Sequence, residues 1–215
     1  MDKEILVVNK QSFLQHITIT KNIMRSGETS CMFEHIYNSK AMVDRKLSET
    51  DERYLQVIPY CYITDTSLNN VFVATRNKNS GEKRLHNNMS LGFGGHIPIG
   101  AIDIKMMTMY GLKALISSSI QREFEEELHF ENGMPLFNYA GFIYDESNAV
   151  GRVHLGLAVH AFADEVKLKE DTHDNGKMIN ITQLSNEWDK QKSKYETWSR
   201  IVFEHFIKPF ARKDQ

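Results

Sequence analysis

Two cysteines, Cys31 and Cys61, and four prolines are all that the 215 residues contain. The cysteine spacing fits no zinc or redox motif, so the chain is no disulfide scaffold and reads as a protein of a reducing compartment, with the cytoplasm as its expected location. No stretch reaches the roughly 20 apolar residues that a bilayer demands. Met1-Asp2-Lys3-Glu4 carries acids where a secretory leader would be basic, so neither membrane insertion nor export is expected. Charge of one sign is missing too. With 26 Lys plus Arg against 28 Asp plus Glu the net charge is −2, and no positive field exists to hold a nucleic-acid backbone. A small anionic ligand with its own counter-cation stays open. What remains, 41% apolar and 25% charged residues, excludes collagen, coiled coil and wholesale disorder. At this length a fold removes roughly 70% of the chain's surface from water and needs no staples.

Residues 1 to 50 read as an N-terminal extension, with Ile5 to Val8 as a short strand and Phe33 to Tyr37 as a helical stretch. Its apolar Ile5, Leu6, Val7 and Phe33 are a candidate homodimer contact. Residues 51 to 215 read as one domain. Leu55 to Thr64 and Val71 to Thr75 are β-branched and aromatic runs across a turn-forming segment, the mark of a hairpin. A polar stretch with Lys83, Arg84 and His86 leads into Gly92-Phe93-Gly94-Gly95. From Leu112 to Phe130 there is neither Gly nor Pro, and Leu112, Leu115, Ile116, Ile120, Phe124 and Leu128 recur at steps of three or four. That is the apolar stripe of one long helix on a sheet. Leu136 to Tyr144, Val153 to Phe162 and Met178 to Ile181 read as strands, and Trp198 to Ile207 as a final helix stopped at Pro209. The order implies an α/β fold, helices layered on a mixed sheet.

The chemistry concentrates in Arg122-Glu123-Phe124-Glu125-Glu126-Glu127-Leu128. Glu123, Glu126 and Glu127 stand at i, i+3 and i+4 and share a helix face, where like charges repel by a few tenths of a kcal/mol per pair. A divalent cation relieves that repulsion, and Mg²⁺ or Mn²⁺ takes such hard oxygen ligands while sharing substrate phosphates. Arg122 can orient one carboxylate. An acid-rich helix alone is more often simply a solvated face. Gly94-Gly95 tips the balance, because bare backbone can approach a ligand there.

Together these residues resemble the Nudix box: Gly, five residues, Glu, seven residues, then Arg-Glu-apolar-any-Glu-Glu-any-Gly-apolar. Gly95 matches the box glycine, residues 122 to 128 its core and Phe130 its final apolar position. Three departures are visible: Ala114 where the first box Glu belongs, about thirteen extra residues between Gly95 and the core, and His129 in place of the last glycine. Asp103 is a candidate stand-in for the missing acid. Tyr54 to Tyr60, Arg84-Leu85-His86, Gly94-Gly95-His96, Asp145 to Asn148 and Val150 to Gly156 are similar to a MutT-related subgroup described as predicted phosphoesterases.

The resemblance implies the Nudix α/β/α sandwich over residues 50 to 208 and a hydrolase. Its expected activity is divalent-metal-dependent hydrolysis of a diphosphate bond in a nucleoside diphosphate linked to another group, a small-molecule substrate. It implies Gly95, Glu123, Glu126 and Glu127 as holders of Mg²⁺ or Mn²⁺, with Arg122 orienting Glu123. A base or further ligand comes from a later loop: Asp145, Glu146, Glu170 or Asp174, with Glu146 preferred because it follows a strand. Lys83, Arg84 and Arg152 are candidate phosphate contacts, although loop charges are usually just solvated. His86, His96 and His154 show no spacing of a zinc triad. Tyr60, Tyr62, Phe72 and Phe93 could stack on a base, yet alternating strand aromatics are usually core. Two alternatives are a non-catalytic module that binds a nucleotide or nucleotide-sugar, suggested by Ala114, and an isopentenyl diphosphate isomerase. The isomerase would need a cysteine near the glycine turn, where Gly94 stands.

Overall fold

The computed structural model describes residues 4–15, 17, 23–24, 29–77, 87–169 and 173–211. Lys83, Arg84, His86 and Glu170 lie outside these residues. The chain forms two bodies: residues 1–60, 94–121 and 139–158 make the first, and 61–93, 122–138 and 159–215 the second.

The first body opens with β1 (Glu4–Asn9), whose Ile5 to Val8 are fully buried as the apolar run predicts. Asn9 then caps α1 (Lys10–Leu14), its side chain accepting the Ser12 N–H at 3.0 Å. β2 (Ile23–Met24), α2 (Thr29–Ser39), β3 (Lys40–Asp44) and α3 (Arg45–Ser48) follow. β1 lies antiparallel between β3 and the start of β4 (Tyr54–Thr64), pairing Val7 with Ala41 and with Gln56. The amino-terminal segment is thus hydrogen-bonded into the sheet. On its way to the long helix the chain passes Pro98, bridged to Ile5, and the Leu6 N–H donates to the Ile97 carbonyl at 2.8 Å.

Five further strands and a helix continue the chain: β5 (Asn70–Arg76), β6 (Met89–Ser90), β7 (Gly92–Phe93), α4 (Met109–Glu127), β8 (Leu128–Phe130) and β9 (Leu136–Ile143). β10 (His154–Phe162), β11 (Val166–Leu168), β12 (His173–Asn180), α5 (Ile181–Gln191) and α6 (Thr197–Val202) complete it. Within the second body the strand order is β12-β5-β4-β10, with β6 on β5 and β7 on β4; in the first, β10-β9-β2. β4 and β5 form the expected antiparallel hairpin, closed by Asp65, which accepts the N–H groups of Asn69 and Asn70. Met89 and Tyr195 add a parallel bridge, so the α/β class with a mixed sheet is the observed one.

The predicted stripe of α4 is buried at Leu112, Ile116, Ile120 and Phe124. Its end differs from expectation: the helix stops at Glu127, and Leu128–Phe130 becomes a strand paired with β11, Leu128 opposite Leu168. The Lys169 N–H donates to the Glu127 carbonyl at 2.9 Å, taking up an oxygen that the helix end leaves bare. His129, in place of the box's last glycine, is therefore a strand residue. α5 was not foreseen, although Asn180 caps it and Ile181, Leu184 and Trp188 line its buried side. The terminal helix runs as α6, widens into a π turn at Phe203–Ile207 and ends in a 3₁₀ turn at Lys208–Phe210 with Pro209 inside it. No helix among the described residues is long and apolar enough to cross a membrane.

Candidate active site

In the second body, the last turn of α4 carries the predicted acids. Phe124 and Leu128 anchor that turn in the core, and Phe124 meets Phe130 edge-on at 5.3 Å. Fixing Phe124 inward fixes Glu123 beside it, and Glu123 is only 6% exposed. Arg122 Nη2 donates to Glu123 Oε1 at 2.7 Å, while its Nη1 stands 3.5 Å from Glu126 Oε2. Burial pushes the Glu123 carboxyl above the usual carboxylate range, Arg122 opposes this and Glu126 adds to it.

Glu127 is the most perturbed of the three. Burial first, and the neighbouring Glu123 second, push its pKa up to about 7, against the pull of Arg76. Its Oε2 is buried and has no hydrogen-bond partner among the described residues. The nearest basic atom is Nδ1 of His173 at 3.7 Å, and burial, followed by the Arg76 charge, drives that imidazole down to about 3. A neutral ring gives no ion pair. Arg76 pairs with the buried Glu196 instead. Cys61, fully buried, feels the same acids: burial, then Glu123 and Glu127, hold its thiol protonated. The surroundings of Glu127, namely His173, Arg76 and Glu196, come from β12, β5 and the turn before α6. No spacing in the sequence announces them.

Glu126 is set apart, with 56% of its side chain exposed. Glu123, Glu126 and Glu127 do not bring one oxygen each within 4.8 Å of one another. One buried acid, one half-buried acid with a buried oxygen and one surface acid thus share the turn. The orphaned oxygen of Glu127, beside the buried Glu123 carboxylate, nonetheless makes this donor set fit a hard divalent cation, which would supply Glu127 with its missing partner.

Gly95 belongs to the first body. Beside it, a Cβ on Gly94 would overlap the carbonyl oxygen of Pro59, so only glycine lets the chain pass β4 there. Ala114, at the position of the first box Glu, is exposed on α4, and Asp103 is exposed and accepts the Lys105 N–H at 2.9 Å in a local turn. Asp145 is buried and spent on its own loop, accepting from the Ser147 N–H and hydroxyl. Glu146 accepts from the Tyr144 hydroxyl at 2.5 Å and from Lys10 Nζ at 2.9 Å, which hold its carboxyl below the usual range. Arg152 Nε donates to Glu52 at 2.8 Å. Asp174, in the second body, is exposed on β12. The aromatics Tyr60, Tyr62, Phe72 and Phe93 are core, as strand alternation suggests.

The first body also gathers a group that sequence spacing hid. Glu49, His96 and His154 place one ligand atom each within 4.8 Å of one another. Residues 49, 96 and 154 are too far apart in the chain for any motif to connect them.

No family model matches the chain. Protein YmaB of Bacillus subtilis (strain 168) is 31% identical over 211 residues, spanning 94% of this chain and 96% of that protein. The crystal structure of Tm1382, described as a candidate Nudix hydrolase, superposes with a TM-score of 0.74 at 25% identity, covering 95% of this chain and 98% of that one. DR0079 from Deinococcus radiodurans shares the fold at a TM-score of 0.52 and 12% identity, over 77% of this chain and 91% of its own. With the acidic α4 turn, the glycine turn and near full-length likeness in both sequence and structure, the chain belongs to the Nudix hydrolase family and is an enzyme of the hydrolase type, its family's reaction being cleavage of a pyrophosphate bond.

Proposed function

We propose that the protein hydrolyses a phosphoanhydride bond in a nucleoside diphosphate linked to another group, with Mg²⁺ or Mn²⁺ held by Glu123, Glu126 and Glu127. The observation that carries this is the buried Glu127 Oε2, with no hydrogen-bond partner among the described residues, beside the buried Glu123 carboxylate on the same helical turn. Leaving that oxygen desolvated beside a second carboxylate costs stability that a bound cation returns. When bound, that cation offsets phosphate charge and lowers the pKa of coordinated water.

The chain's own residues divide the remaining work. Arg122 aims Glu123 and opposes the burial that pushes its carboxyl upward. Glu126, on the surface, joins by rotation of its side chain. Tyr144 and Lys10 hold Glu146 as a weakly basic carboxylate, which suits a ligand or an orienting acceptor better than a strong base. Arg152 is the phosphate contact proposed from the described residues, in exchange for its surface pair with Glu52.

The isomerase reading loses support, because no side chain fits at Gly94 and the Cys61 thiol is fully buried and protonated. The decisive experiment measures phosphate or monophosphate release from a panel of nucleoside diphosphate derivatives with Mg²⁺ or Mn²⁺, for wild type and Glu126→Gln. Metal-dependent turnover lost in the variant is expected; equal turnover by both would remove the carboxylate site.

A further inference from the structure

We propose that Glu49, His96 and His154 form a second cation site, built for a transition-metal ion of the zinc type rather than for Mg²⁺. The site lies wholly in the first body and does not depend on the reading of the α4 glutamates. Two imidazoles and one carboxylate are the donor set that borderline cations select over the oxygen-only set of magnesium.

The hydrogen bonds around the imidazoles argue for this use. Gln56, fully buried on β4, donates from Nε2 to the Ser48 carbonyl at 3.2 Å, which fixes the orientation of its amide. Its Oε1 therefore faces His96 Nε2 at 2.7 Å and can only accept. His96 is thereby the tautomer with its proton on Nε2 and its lone pair on Nδ1. His154, buried at the start of β10, lies with Nδ1 2.8 Å from the Val150 carbonyl, another pure acceptor, so its lone pair is on Nε2. Each ring thus has one nitrogen tied to an oxygen, the contact that orients metal-binding histidines. The two rings stand 5.9 Å apart at 61°, unstacked.

Glu49, immediately after α3, is the exposed member and brings the negative charge. Ligands at about 2.0–2.1 Å from a tetrahedral zinc ion stand roughly 3.4 Å apart, so the three side chains need to close by at most about 1.4 Å. The exposed Glu49 side chain and small rotations of the two rings about their anchored nitrogens supply that movement. Gly94 admits the main chain beside Pro59 and so sets the position of His96 two residues later. Three protein ligands leave a fourth position for solvent or a substrate oxygen.

The test titrates the metal-free full-length protein with Co²⁺ alone, following visible d–d absorption, then displaces it with Zn²⁺. The expected result is one equivalent bound with the intense bands of a four-coordinate nitrogen-containing site, bleached by Zn²⁺. His154→Gln should weaken binding at least 10-fold. Glu49→Gln, a surface change that leaves the fold intact, should weaken it as well. Glu126→Gln should leave the spectrum unchanged, which separates this site from the α4 acids whatever the turnover assay shows. Featureless weak absorption, or affinity unmoved by both His154→Gln and Glu49→Gln, overturns the proposal, as does loss of the bands in Glu126→Gln.

Discussion

The two bodies treat their polar groups in opposite ways. In the first, the buried imidazole of His154 and the half-buried one of His96 each have a nitrogen tied to an oxygen, and Glu146 is held by two donors. In the second, Glu127 keeps a buried oxygen with no partner among the described residues, next to the desolvated Glu123. The first cluster is already satisfied before any cation arrives. The second keeps a desolvated oxygen that a cation would satisfy. Satisfied donors preorganise a site at little cost, whereas unsatisfied carboxylates bind hard cations strongly because they lack any competing partner.

The sharpest way to break that contrast is Glu127→Gln. Metal-supported hydrolysis should fall by about 10²- to 10³-fold, the scale of losing one charged contact to the reacting centre. In metal-free buffer the same variant should melt a few degrees higher than wild type, since a like charge beside Glu123 is gone. Thermal melts with and without Mg²⁺, beside turnover, check both signs. A variant less stable than wild type without metal would mean that Glu127 is a structural group and not a strained ligand.

Next in size is Gly94→Ala in the first body. The added Cβ meets the Pro59 carbonyl oxygen, which belongs to a strand and cannot move aside. A loss of about 3 kcal/mol or more is expected, a fall in melting temperature of roughly 6 to 12 °C for a chain of this size. Equilibrium urea unfolding measures it. A loss under about 1 kcal/mol would show that the turn relaxes, and that Gly94 is dispensable to the position of His96.

How much of this was legible beforehand depended on whether the signal was local. The stripe from Leu112 to Phe124, the 55–64 and 71–75 hairpin and the acids at 123, 126 and 127 are each carried within one element, so periodicity and composition revealed them. The end of α4 was not legible: Leu128 to Phe130 continues the helical apolar pattern, and only pairing with 166–168 makes it a strand. The same holds for the sites. Arg122 beside Glu123 is a neighbour in sequence, whereas Gln56 oriented by Ser48 to fix His96, or His173 facing Glu127, exists only once strands distant in the chain are paired. Asp145 was a reasonable candidate by position and is consumed by its own loop, a fate that composition does not reveal.

His160 in the second body is buried between Tyr62, stacked at 4.6 Å, and Phe162, with Nε2 2.8 Å from Thr64 Oγ1. Burial lowers its pKa to about 4 from the ordinary 6.5. The unfolded chain therefore takes up this proton near pH 6.5 and the folded one only near 4, so the stability is complete above 6.5 and declines as pH falls between these values. At most about 3 kcal/mol is at stake. Urea unfolding at pH 7, 5.5 and 4.5 should show wild type losing stability faster than His160→Asn. Parallel curves would mean that the ring is solvated when charged and that burial does not control it.

The smallest effect concerns Arg152, where the two uses of a charge compete. Its pair with Glu52 is a surface contact at 2.8 Å, with 39% and 55% of the side chains exposed, and such pairs contribute about 0 to 1 kcal/mol. Arg152→Gln should therefore leave the melting temperature within about 3 °C of wild type. If the guanidinium meets substrate phosphate, KM should nevertheless rise several-fold with kcat nearly unchanged, because a contact made equally in ground and transition states affects binding alone. Glu52→Gln supplies the control: freeing Arg152 from its partner should lower KM, and added salt should shrink the difference between the two variants. Should both variants match wild type in KM, Arg152 is a surface charge that only pairs with Glu52, and the phosphates are met by other residues.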